Sequence, residues 1–118
     1  MFNFEKLEAW RHAIEFAQTV YRTTARFPAN ERFGLTNQMR RAAVSVSSNI
    51  AEGSSRSSRT DFARFVEIST GSLFEVVSQA FIAKQEGFLE AEEFNRIYAL
   101  AERQGRILSG LRNSLTKG

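Results

Sequence analysis

The sequence contains no cysteine, and it has one histidine, His12, and one proline, Pro28. Without cysteine there can be no disulfide, no thiolate metal site and no cysteine nucleophile. A di-iron bundle needs Glu-x-x-His on two helices, but Ala9 stands three positions before His12 and there is no second histidine. We therefore expect His12 to be an ordinary residue on a helix surface or partly buried. The scarcity of proline and the lack of regularly spaced turns favour helices over strands.

The sequence also shows no obvious membrane or export signal. No run of residues looks long and apolar enough to cross a bilayer, and Glu5, Lys6 and Glu8 lie where a signal peptide would be apolar. A length of 118 residues suits a single domain, residues 1–118, that buries a core without disulfides or metals. We expect a soluble, cytoplasmic protein.

Apolar residues recur three and four positions apart in four segments, which is the pattern of helices with one packed face. The predicted helices cover residues 4–26, 31–52 or 35–52, 60–86 and 90–115. Phe27-Pro28 should end the first helix, because proline disfavours helical geometry in the residue before it. Short connections make consecutive helices antiparallel neighbours, so the predicted fold is all-α, an up-down four-helix bundle.

Several local features refine these helices. Residues 44–46 have strand-like composition, but the helical spacing continues through them, so we interpret them as helix. Gly53 and the serine-rich stretch 54–58 are predicted to form the end of the second helix and a loop, and Thr60 to be the N-cap of the third. Gly71 inside the third helix should cost about 1 kcal/mol relative to alanine, which suggests a close contact with a neighbouring helix.

The first and third helices each carry a second line of apolar residues beside the packed face. These lines are Ala9, Ala13, Phe16, Val20 and Phe27 in the first helix, and Phe74, Val77 and Phe81 in the third. With eleven phenylalanines in the chain, one interpretation is a broad aromatic core. We favour packing against another copy of the protein, because an exposed line of phenylalanines would otherwise promote nonspecific association.

The sequence offers no recognisable catalytic constellation. The serines of the predicted helices lack a nucleophile elbow, and Gly53-Ser54-Ser55 lacks the remainder of a phosphate-binding loop. We expect no catalytic residue, no cofactor and no metal site. Antiparallel register instead brings polar residues of the second and third helices together as a structural polar core. We predict an Arg41–Glu75 ion pair and Glu52 accepting backbone amides at the start of the third helix, within this set: Arg41, Asn49, Glu52, Ser72 and Glu75.

The cations comprise thirteen arginines and three lysines, and the formal net charge is +3. An up-down bundle places the start of the first helix, the turn between the second and third helices and the end of the fourth at the same end. Eight cations gather there, and we call them the basic end: Lys6, Arg11, Arg56, Arg59, Arg64, Arg106, Arg112 and Lys117. We predict that they contact nucleic-acid phosphates. The alternatives are a scaffold that meets an acidic protein and a merely solvated surface.

The chain resembles a known family in the residues around the second helix. These residues are Phe27-Pro28, Glu31, Gly34-Leu35, Gln38, Arg40-Arg41-Ala42, Ser45 and the SNIAEG run at 48–53. Further matching positions are Trp10, Tyr21, Arg59, Phe62, Phe65, Gly71-Ser72 and Glu75. The pattern, over roughly residues 4–87, resembles the four-helix-bundle proteins associated with intervening sequences in bacterial 23S rRNA genes.

The resemblance implies a bundle that assembles as a homo-oligomeric ring, commonly a pentamer. It also implies similarity to the accessory variability proteins of diversity-generating retroelements, which are basic pentameric barrels that bind nucleic acid and a reverse transcriptase. The partners implied for this chain are copies of itself, RNA or DNA, and a protein such as a reverse transcriptase.

Overall fold

The computed structural model describes residues 1–117, which fold into four long α-helices without a strand among them. The helices are α1, Glu8–Thr24; α2, Leu35–Ser54; α3, Arg59–Gln85; and α4, Ala91–Thr116. Short 3-10 helices at Asn3–Lys6 and Ala29–Glu31 precede α1 and α2. Each long helix packs against two others, in the cyclic order α1, α2, α3, α4, and the bundle measures 47 × 22 × 21 Å. The predicted all-α four-helix bundle is confirmed.

The ends of α1 and α3 agree with the sequence-based prediction, whereas the N-cap of α3 differs from it. Phe27 follows the end of α1 and is buried, with its ring centroid 5.9 Å from that of Phe88. At the end of α3, Gly87 adopts φ +80°, a conformation that side-chain-bearing residues rarely adopt. The N-cap of α3 is Ser58 rather than Thr60, since the Ser58 hydroxyl accepts the amide of Asp61 at 3.0 Å.

Gly53 and Gly71 both differ from their predicted roles, although α2 does end at Ser54, within the predicted stop. α2 continues through Gly53, where an added Cβ would lie 2.7 Å from the Cβ of Phe65 and 2.9 Å from a ring carbon of Phe62. Gly53 therefore permits the close approach of α2 and α3 and does not end the helix. An added Cβ at Gly71 would meet nothing within 4 Å, so no close contact explains this glycine.

The core occupies the space between all four helices. Its fully buried side chains include Phe16, Met39, Ile50, Leu73, Ile97 and Leu108. The second apolar line of α1, from Ala9 to Phe27, is entirely buried and belongs to the core. On α3 the outcome differs, because Phe74 and Phe81 remain exposed.

α3 corrects the expectation that no segment is apolar enough to cross a bilayer. By length and composition alone it qualifies, over one window of 18 residues. Only 39% of that window is buried inside the bundle. The physical reason for its high hydropathy is that α3 carries apolar side chains on its outer surface as well as on its core face.

Candidate functional site

A small hydrogen-bond network joins the middles of α2 and α3. The hydroxyls of Ser45 and Ser72 are 2.8 Å apart, and the Asn49 amide donates to the hydroxyl and the carbonyl of Ser45, each at 2.9 Å. One turn away the Ser69 hydroxyl donates to the Val46 carbonyl at 2.7 Å. Asn49 and Ser72 from the predicted polar core are therefore brought together through Ser45, and the bonds define the register of the two helices.

The charged members of the predicted polar core do not join this network. Arg41 and Glu75 are exposed and form no ion pair with each other among residues 1–117; Glu75 instead accepts the Gln79 side-chain amide at 3.3 Å. Both side chains reach water at the edge of the helix pair, where an ion pair gains little over hydration. Glu52 accepts from the Arg56 side chain at 3.3 Å rather than from backbone amides.

A second polar contact is buried, and the sequence reasoning missed it. His12 is buried, not surface or partly buried as expected, and its Nδ1 lies 2.5 Å from Oε1 of the fully buried Gln104. Gln104 also donates its amide to the Ala9 carbonyl at 3.0 Å. The sequence did contain one sign of this contact, because Gln104 occupies a position in the apolar spacing of α4, between Ala101 and Leu108. Among residues 1–117, no three histidine, aspartate or glutamate side chains group closely enough to hold a metal.

The structure places the eight cations of the basic end together, and all eight are exposed. Arg59 donates to the backbone carbonyls of Ser114 and Leu115, which connects the start of α3 to the last turn of α4. Besides Arg59, which donates to these carbonyls, four further cations form no ion pair with any residue of 1–117, namely Lys6, Arg11, Arg106 and Lys117. These four are the most available for an external anion.

The remaining cations of the basic end are engaged within the chain. Their ion pairs are Arg56 with Glu52 and Asp61, Arg64 with Asp61, and Arg112 with Glu67. In addition, the guanidinium groups of Arg56 and Arg64 lie over the Phe65 ring, 4.7 and 4.8 Å from its centroid. These carboxylates reduce the positive potential that the sequence alone would assign to this end.

A basic groove between α1 and α2 was also not anticipated. Arg40 lies 4.6 Å above the Tyr21 ring and donates to the Thr24 hydroxyl at 2.8 Å and to the Tyr21 carbonyl at 3.2 Å. The groove encloses about 590 Å³, and Arg41 and Val44 also line it, without any acidic side chain. We call this surface, with Arg22 beside it, the α1–α2 face.

The opposite side of the bundle carries an exposed apolar groove, which we call the α3–α4 groove. It encloses about 530 Å³ and is lined by Leu73, Phe74, Val77, Ser78, Phe81, Tyr98, Ala101, Glu102 and Gly105. Phe74 is 68% exposed, Phe81 45% and Tyr98 39%. Phe81 packs edge-on against Phe94 and Tyr98, with centroids 4.8 and 6.2 Å apart. Here the second apolar line of the third helix does lie outside the core, as predicted.

This fold and these surfaces define a small helical-bundle protein with an apolar side and a basic end. The sequence model of the family described as 23S rRNA-intervening sequence protein matches residues 5–110, so the chain belongs to that family. A crystal structure of a protein of unknown function from the S23 ribosomal protein family of Bacteroides thetaiotaomicron VPI-5482 superposes with a TM-score of 0.79. It shares 19% identity with this chain, and the match covers 88% of this chain and 97% of that one, which shows a common fold. No curated protein matches.

Proposed function

We propose that this protein is a non-enzymatic assembly protein whose copies join through the α3–α4 groove and whose basic ends together bind nucleic acid. The observation that carries the proposal is the exposure of Phe74, Phe81 and Tyr98 around one continuous groove. Contiguous exposed apolar surface of this kind marks an interaction site, since its burial removes apolar area from water.

Assembly is what makes the basic end effective in this proposal. A single copy has a net charge of only +3, and three of its end cations are paired with carboxylates. A ring of parallel copies repeats the four most available cations, Lys6, Arg11, Arg106 and Lys117, around one axis, so their fields add and attract a phosphate backbone. Contacts between these cations and phosphates position a nucleic acid without reading its sequence.

A second candidate is a protein-interaction scaffold with no direct nucleic-acid binding. The pairing of Arg56, Arg64 and Arg112 with carboxylates inside the chain favours it, because these cations have less to gain from an external phosphate. In that case the assembled basic end meets an acidic surface on a partner protein, for which a reverse transcriptase is the candidate that family resemblance suggests.

Two measurements test the proposal in sequence. Light scattering at micromolar concentration should give a mass several times the 13.4 kDa of one chain, and a monomer would contradict self-association. Substituting Phe74→Arg should lower that mass, because the groove would have to bury a charge. Titration of labelled RNA and DNA into the assembled protein then distinguishes the two candidate functions. Nucleic-acid binding requires an affinity that falls with salt concentration, whereas the scaffold requires no binding of RNA or DNA.

A further inference from the structure

We propose that Phe33, in the connection between α1 and α2, docks in the α3–α4 groove of a neighbouring copy. The inference rests on the self-association proposed above and identifies the two surfaces that meet. Phe33 is 88% exposed, the highest value of any large apolar side chain in residues 1–117. Within residues 1–117 the Arg32 guanidinium lies over this ring, 6.0 Å from its centroid, and still leaves most of it open to solvent.

The backbone around Phe33 is held by hydrogen bonds. The Glu31 carboxylate accepts the amide of Leu35 at 3.1 Å, and the Glu31 carbonyl accepts the amide of Gly34 at 3.0 Å. These two bonds enclose Phe33 between fixed positions. A side chain presented on a fixed backbone loses less conformational entropy on binding than one on a free loop, which suits it for docking.

The groove and the Phe33 ring match in chemistry and size. Its rim is aromatic, at Phe74, Phe81 and Tyr98, and its volume of about 530 Å³ accommodates a phenyl ring with room for adjoining side chains. Within one chain the groove lies across the bundle from α1 and α2, because α3 and α4 form the opposite side. Phe33 therefore reaches a groove only on another copy.

The two surfaces are also at the same height along the bundle. The Ser45–Ser72 hydrogen bond defines the register of α2 and α3. Moving the same number of residues away from this pair, back along the chain from Ser45 and forward from Ser72, leads to Phe33 and Lys84. Phe33 therefore lies at the height of Lys84, about one helical turn from Phe81. In a ring of parallel copies, contacts join equal heights, and two different surfaces that meet head to tail are the requirement for closure into a ring.

Charge complementarity selects a second copy as the occupant. Arg32 precedes Phe33, and Glu102 lines the groove; both are exposed and neither forms an ion pair within residues 1–117. Docking of Phe33 would place the Arg32 cation on the side of the neighbour that carries Glu102, so the two charges attract across the interface. The α1–α2 face beside Phe33 is basic, at Arg22, Arg40 and Arg41. With Phe33 docked, this face lies opposite the side of the neighbouring copy that carries Glu102.

Cross-linking tests the pairing directly, because the natural chain has no cysteine. Copies carrying Asn37→Cys, which is exposed one helical turn after Phe33 and leaves that ring intact, are mixed with copies carrying Ser78→Cys, at the groove, and treated with a short thiol-specific cross-linker. We expect a cross-linked species that contains one copy of each variant. Ser57→Cys, exposed at the other end of the bundle, is the control that should not couple to Ser78→Cys. Coupling of Ser78→Cys copies only to one another would show a face-to-face dimer and overturn the proposal.

Affinity measurements separate this inference from self-association itself. Phe33→Ala should raise the dissociation constant of the assembly at least about tenfold, whereas Phe2→Ala, a 72% exposed phenylalanine at the other end, should leave it unchanged. Arg32→Glu should also weaken assembly, and adding Glu102→Arg should restore it. A wild-type monomer would overturn both proposals. A wild-type oligomer that Phe33→Ala does not weaken would overturn only the docking of Phe33.

Discussion

Gln104 on α4 and His12 on α1 form a buried hydrogen bond, with 2.5 Å between Nδ1 of the histidine and Oε1 of the glutamine. Gln104 donates its own amide to the Ala9 carbonyl, which fixes Oε1 as the acceptor and assigns the proton to His12 Nδ1. The contact joins the first and last helices, which are adjacent in the bundle but distant along the chain. Together with the bond from Gln104 to Ala9, it provides the polar cross-links between these helices inside the core among the described residues.

Replacing Gln104→Ala should lower the free energy of unfolding by about 2–4 kcal/mol. The change leaves a cavity and removes the partners of a buried histidine and a backbone carbonyl. Urea unfolding at matched protein concentration measures the effect, since self-association would add to apparent stability. The exposed Gln85→Ala should change the free energy by less than about 0.5 kcal/mol. Equal effects of the two substitutions would show that the buried contact contributes nothing.

The two glycines should respond to alanine in opposite directions. Gly53→Ala places a Cβ 2.7 Å from the Cβ of Phe65, so α2 and α3 must separate, at a cost of about 1–3 kcal/mol. Gly71→Ala meets only open space and should stabilise the helix by up to about 1 kcal/mol. Thermal unfolding of both variants provides the comparison, and destabilisation at Gly71 would reveal a contact that a single copy does not contain.

The Ser45–Ser72 contact should contribute measurably to stability although both residues are small and polar. Ser45→Ala removes the bond to Ser72 and one acceptor of the Asn49 amide, and should cost about 1 kcal/mol. Ser48→Ala, exposed on the same helix, is the matched control and should have no measurable effect. Chemical denaturation distinguishes them. A neutral Ser45→Ala would mean that packing alone defines the register.

The unpaired cations should dominate any binding of nucleic acid. Changing Lys6, Arg11 and Arg106 to glutamate should weaken binding of labelled RNA at least about tenfold and flatten its salt dependence, because fewer counterions are released. Arg96→Glu, in the other half of the bundle, is the control against which each of these substitutions is also compared singly. Fluorescence anisotropy across salt concentrations measures both. Binding that does not change with salt would exclude the electrostatic mechanism.

The groove should respond more strongly than the rest of the surface to charge insertion. Phe81→Glu should shift the assembly towards monomer at micromolar concentration, since this side chain lines the groove beside Tyr98. Ile68→Glu is the matched control, because Ile68 is similarly exposed on α3 but does not line the groove. Sedimentation velocity measures the mass of each variant. Dissociation by Ile68→Glu alone would place the interface elsewhere on α3.

The sequence by itself determined the number of helices and most of their limits. Apolar spacing identified four segments, and Phe27-Pro28 marked an end that the structure also has. These are local effects: helical period and the geometry of proline act within a few residues. The exposed line at Phe74 and Phe81 was also visible, because α3 has more apolar side chains than a single packed face needs.

Tertiary structure alone decided the role of each special residue. Gly53 and Gly71 look alike in sequence, and only the distance to Phe65 shows which one lies at a close helix contact. The predicted Arg41–Glu75 ion pair does not form because both side chains are exposed to water, and hydration competes with an exposed ion pair. Equal height along the two helices does not show whether a side chain is exposed. His12 and Gln104 are in contact because α1 and α4 pack side by side. The helical spacing within either segment does not indicate which helix packs beside it.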